Sequence, residues 1–135
     1  MITVLAATLA MMVQVPPTTT ELGRISMRSG YCQRYGWVNN EAELERVSHA
    51  VADRISGMSA DEVALNIDNG ANLEQQRLKA TEDAVKTLAD FNRWAERAET
   101  MCDALARDYP ALISRGPNTA STWEAYQARY RGLFN

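Results

Sequence analysis

Very few side chains of this chain could begin a chemical reaction. His49 is its only histidine, and Glu41, Glu45, His49 and Asp53 recur at steps of four, so on a helix they form a ladder down one face. A histidine beside carboxylates suits general acid–base work, and ligands four apart can share one metal ion. Neither chemistry is completed. The H-E-x-x-H pattern is absent, no second motif supplies more ligands, and the ladder lies away from the apolar positions Leu44, Val47, Val51 and Ile55. An amphipathic helix turns such a polar face to water. No catalytic residue, metal ligand or cofactor is therefore assigned, and an enzyme using His49 stands only as a third reading.

The stretch from Asn66 through Asp68, Gly70 and Asn72 to Glu74 interleaves oxygen donors with a glycine, as a calcium loop does. Its register fails: with Gly70 at the sixth loop position, Leu65 occupies the first, where an aspartate belongs. A helix end followed by a new helix start accounts for the same residues. Walker, nucleophile-elbow and dinucleotide glycine patterns are also absent.

Cys32 and Cys102 are the only cysteines, with no zinc or haem spacing around either. In an oxidising compartment such a pair is most simply one disulfide. Closing a loop of about 70 residues is worth on the order of 4 kcal/mol in the chain-entropy description. Two buried free thiols are the alternative, and the better one in a reducing compartment. Around Cys32 the run Tyr31-Cys32-Gln33-Arg34-Tyr35-Gly36-Trp37 is the densest set of interface-type residues, since Tyr, Trp and Arg dominate binding hot spots. Tyr31, Arg34, Tyr35 and Trp37 are the candidate partner-binding residues, with packing around a disulfide as the competing role.

The elements that must hold these residues are helical. Sustained apolar/polar alternation is missing, and the alanine, leucine, glutamate and arginine content favours helix. Asn40 with Glu43 opens a helix running to a glycine cap at Gly57, with Leu44, Val47, Val51, Ile55 and Met58 as its buried stripe. Ser59 with Glu62 opens a short helix ending near Gly70. From Asn72 to Asp108 there is neither Gly nor Pro, which predicts one long central helix of about 55 Å at ~1.5 Å per residue. Its seam is Ala84, Leu88, Phe91, Ala95, Ala98, Cys102, Leu105 and Tyr109. Pro110 and Gly116-Pro117 turn the chain, and Ser121 with Glu124 opens a last helix carrying Trp123, Tyr126 and Tyr130. Gly23, Gly30 and Gly36 predict an irregular, basic and aromatic arm over 21–38. The expected fold is all-α: a small bundle of about four helices, one of them long and central, with that arm and one disulfide.

Every charged side chain follows residue 20, and residues 1–15 are almost wholly apolar. Residues 1–20 are accordingly expected to be a signal peptide or a short hydrophobic anchor, giving residues 1–15 membrane proximity, and residues 21–135 a single helical domain. No run reaches the ~18 apolar residues of a full membrane span. At 135 residues and net charge −3 the chain offers one domain and no global positive field, so nucleic acid is not an expected partner.

The expected function is an exported, periplasmic or secreted, non-enzymatic interaction or scaffold protein of the cell envelope, with a protein partner. A small-molecule or metal carrier using a cavity near Met58, Met101 and aromatics is the alternative, and a homodimer through the long helix is the alternative to packing its seam inside one chain.

Overall fold

The computed structural model describes residues 18–55 and 57–134. The leader expected over residues 1–20, with its membrane proximity, lies outside the described residues as far as position 17. Helix α1, Thr19–Arg34, starts where the Thr18 hydroxyl accepts a hydrogen bond from the Glu21 amide. Strand β1, Trp37–Asn39, follows, then α2, Glu41–Arg54, capped by the Asn40 side chain as its sequence predicts. Helix α3, Ala60–Asp83, begins at the expected Ser59 cap. Helix α4, Leu88–Asp108, strand β2, Ile113–Arg115, helix α5, Thr119–Arg131, and a short 3-10 turn, Gly132–Phe134, complete the described chain.

The mostly helical class holds, with five α-helices among the described residues rather than about four, and five further expectations are corrected. The irregular arm over 21–38 is a regular helix as far as Arg34: Leu22, Ile25, Ser29 and Cys32 recur at helical spacing and are all buried. The glycines do not break it, because Gly23 serves a helix contact and Gly30 faces open space. The end expected near Gly70 is also absent. Gly70 sits inside α3, where a Cβ would lie 2.0 Å from the Thr20 carbonyl oxygen, just as a Cβ on Gly23 would lie 1.9 Å from that of Ile67. Glycine is what lets α1 and α3 cross this closely.

The long central helix is two helices. Thr87 and Asp90 form a reciprocal capping box, and the amides of Lys86 and Thr87 both donate to Asp90. With the Asp90 amide and the two amides of the corner before α4 satisfied in this way, the chain can restart its helix in a new direction without Gly or Pro. Finally, the chain is not free of strands: β1 and β2 pair antiparallel, Trp37 opposite Arg115 and Asn39 opposite Ile113. The last helix starts earlier than expected, after Asn118 rather than Ser121.

Helix α3 packs chiefly on α1, whereas α4 packs on α1, β2 and α5. Of the expected seam, Phe91, Ala95, Ala98, Cys102 and Leu105 are buried against the chain's own elements. A homodimer through this seam would have to displace them. Cys32 of α1 and Cys102 of α4 lie at disulfide distance, Cα to Cα 5.7 Å, with both side chains fully buried. Among the described residues no helix is long and apolar enough to cross a membrane.

Candidate functional site

Tyr35 is the hub of the aromatic core. Its ring centroid lies 5.1 Å from that of Tyr31, 5.7 Å from Trp94, 5.3 Å from Trp123 and 4.6 Å from Tyr126, all in edge-on geometry. Such pairs add about 0.5–1.5 kcal/mol beyond their area burial. Tyr31, Tyr35 and Trp37, expected on a partner-binding surface, are only 7%, 1% and 2% exposed. They are core residues, because their positions on and just after α1 turn them toward α4 and α5. Of the four candidates only Arg34 is exposed; its guanidinium lies 5.9 Å from the centroid of the Tyr31 ring. Burial pushes the phenols of Tyr31, Tyr35 and Tyr126 well above the usual tyrosine range, which keeps them neutral.

Two carboxylates pin this core to the helices. Glu74, 1% exposed, accepts from Arg28 Nε at 3.0 Å and from Arg77 Nε at 2.9 Å. Burial opposes its ionisation, yet the hydrogen bonds and charges of the two arginines outweigh burial and hold the carboxyl below the ordinary glutamate range. Asp103 accepts from Arg115 Nε at 2.8 Å and Nη2 at 3.0 Å, and from the Trp37 indole at 3.2 Å. Arg107, four residues on, pairs with Asp108 rather than with Asp103. The Arg115 bonds, acting against partial burial, lower the Asp103 carboxyl.

The surface beside the disulfide carries two grooves. Because α3 and α4 each pack mainly elsewhere, a groove of about 680 Å³ opens between them, floored by Leu78, Trp94 and Met101 and edged by Arg77, Arg93 and Arg97. A second, of about 580 Å³, runs between α1 and α3 and is edged by Arg34 and Lys79. Both grooves share Tyr31 and Leu78. Asp90 and Glu82 are their carboxylates. Arg93 pairs with Asp90 and Arg77 with Glu74, whereas Arg97 makes no ion pair among the described residues. Tyr31 lines both grooves, while its hydroxyl is buried without a hydrogen-bond partner among the described residues. The arrangement can hold an acidic chain that also offers apolar side chains.

The remaining candidates scatter. The His49 side chain is 76% exposed, with Glu45 as its only ion-pair partner among the described residues, at 3.8 Å, and Glu41 and Asp53 are exposed on the same helix. Among the described residues no three His, Cys, Asp or Glu side chains come together as a metal site. Met101 lines the first groove, but Met58 does not; its sulfur accepts from Asn66. Sequence reasoning missed Arg77, Arg93 and Arg97, which read as solvated helix positions until α3 and α4 separate. Their spacing is a weak signal at best: only Arg93 and Arg97 lie one turn apart. Comparisons with known protein families, with curated proteins and with solved structures found no match.

Proposed function

We propose that this chain is an exported, non-enzymatic interaction protein of the cell envelope, and that its contact surface is the pair of grooves meeting at Tyr31 and Leu78. The observation that carries the reading is a concentration of charge. A chain of net charge −3 gathers Arg34, Arg77, Lys79, Arg93 and Arg97 around apolar floors that hold only Asp90 and Glu82 as carboxylates. Guanidinium groups over an apolar and aromatic floor suit a partner segment that alternates acidic and apolar side chains. The Tyr35 hub and the Cys32–Cys102 pair supply the rigid base beneath it. A buried cysteine pair at bonding distance is also what export to an oxidising compartment favours.

The test is a photoreactive residue at Thr81, in the wall of the first groove, in protein expressed in its own host. A discrete adduct that disappears when Arg93 and Arg97 are both changed to Glu supports the reading. Absence of an adduct, or one indifferent to the charge reversal, contradicts it.

A further inference from the structure

A third and smaller pocket, of about 190 Å³, lies where the end of α3 meets α4, α5 and the closing 3-10 turn. Phe91, Trp94, Tyr126, Tyr130 and Phe134 line it together with Val85 and Leu133, and among the described residues Glu82 is the only charged one in its lining. The rings are mutually supported: Tyr126 and Tyr130 stack at 4.3 Å, and Phe91 packs in tilted geometry against Phe134 at 5.6 Å and Trp94 at 5.7 Å. Arg129, 5.7 Å from the Tyr130 centroid, does not line the pocket.

A second observation concerns charge at the same place. Glu82 and Asp83 occupy the last turn of α3, which holds no basic residue. A helix C-terminus already carries about half a negative charge, so carboxylates there are unfavourably placed and a cation would relieve them. Tyr35 donates to Glu82 Oε1 at 3.4 Å, a long bond that leaves the carboxylate with capacity to spare.

We infer that this pocket is a binding site for a methylated ammonium group. Aromatic faces attract cations through their quadrupoles, and Glu82 adds a full charge at the wall. An anion would meet both with the wrong sign. A primary ammonium could turn its N–H groups to Glu82 and the two phenol oxygens, but it would give up a tightly held hydration shell to enter an otherwise apolar, aromatic lining. A trimethylammonium group has no N–H to satisfy and spreads its charge over methyl groups that pack on rings. The volume lies below the ~300–1,000 Å³ of sites for drug-sized ligands, which fits a headgroup. The site shares Glu82 and Trp94 with the grooves proposed for protein contact, but neither Arg93 nor Arg97, on which the test of those grooves rests, lines it.

The probe is choline chloride, titrated against the full chain at constant ionic strength and followed by tryptophan fluorescence and melting temperature. Its uncharged isostere, 3,3-dimethylbutan-1-ol, is run in parallel. Saturable binding of choline, with the isostere at least about fivefold weaker, is expected from the cation–π contribution. Glu82→Gln and, separately, Tyr130→Leu should each weaken choline by a similar factor while leaving the helical circular dichroism unchanged. Equal response to choline and isostere, no saturable response to choline, or unchanged affinity in both variants would overturn the inference. Flotation with phosphatidylcholine vesicles alongside choline binding would support it with a lipid as the source of the headgroup; choline binding without flotation would support it with a free solute as the source.

Discussion

Gly23 and Gly70 mark the crossing of α1 and α3. A Cβ on Gly23 would lie 1.9 Å from the Ile67 carbonyl oxygen, one turn before Gly70, and a Cβ on Gly70 would lie 2.0 Å from that of Thr20, one turn before Gly23. Both obstacles are helix backbone, which cannot step aside as a side chain can. Gly23→Ala and Gly70→Ala should each cost about 3 kcal/mol or more, at or above the usual cost of overpacking. Gly30→Ala on the same α1, with nothing within 4 Å of the added carbon, should instead stabilise by about 0.5–1 kcal/mol. Urea denaturation of the three variants checks the contrast, and a common sign would contradict this packing.

Cys32→Ser and Cys102→Ser should each lower stability by about 2–4 kcal/mol, and the double variant by little more than either. The two residues act as one unit, so losses that add in full would contradict the bridge between α1 and α4.

Glu74 links stability to pH. Its folded-state pKa lies below the unfolded value of about 4.3, so its contribution is fully present above that pH and is lost as pH falls through the lower folded value. Glu74→Gln should cost about 1–3 kcal/mol at pH 7, a range for losing charged hydrogen bonds in which the partial exposure of Arg28 and Arg77 favours the lower end. The difference between wild type and variant should shrink in acid. A gap that stays constant from pH 7 down to pH 3 would show that Glu74 contributes by packing alone.

Reversing Arg93 and Arg97 to Glu together should change stability by no more than about 0.5 kcal/mol per residue, because both are exposed. Thermal melting checks this directly. A large loss of stability would make the arginines structural and remove them from the contact surface.

Local chemistry was the legible part of the fold. The caps at Asn40 and Ser59, the turns at Pro110 and Gly116-Pro117, and the left-handed Gly57, with φ of +84°, follow from residues within a few positions of each other, although α2 ends at Arg54 with Ile55 as its C-cap and does not run to that glycine. The partnership of Cys32 with Cys102 followed from their being the only two. What escaped depends on neighbours distant in sequence. Gly23 and Gly70 read as helix breakers because nothing local announces the other helix whose backbone each must admit. Thr87 and Asp90 show a capping box in the sequence, but the apolar seam runs unbroken through them and hid the restart. Tyr31 and Tyr35 lie four apart, a spacing equally suited to a surface patch and to a core stripe; Trp94, Trp123 and Tyr126 decide the matter by surrounding Tyr35. The grooves were not legible, since they exist only because α3 and α4 pack on different partners.

The proposed export and the Cys32–Cys102 bridge are examined together most directly by intact mass, with and without reductant and alkylation, on material from the envelope fraction of the host. The account predicts a chain shortened by its leader whose two cysteines take up alkylating agent only after reduction. Full-length protein in the cytosol with both thiols free would contradict it.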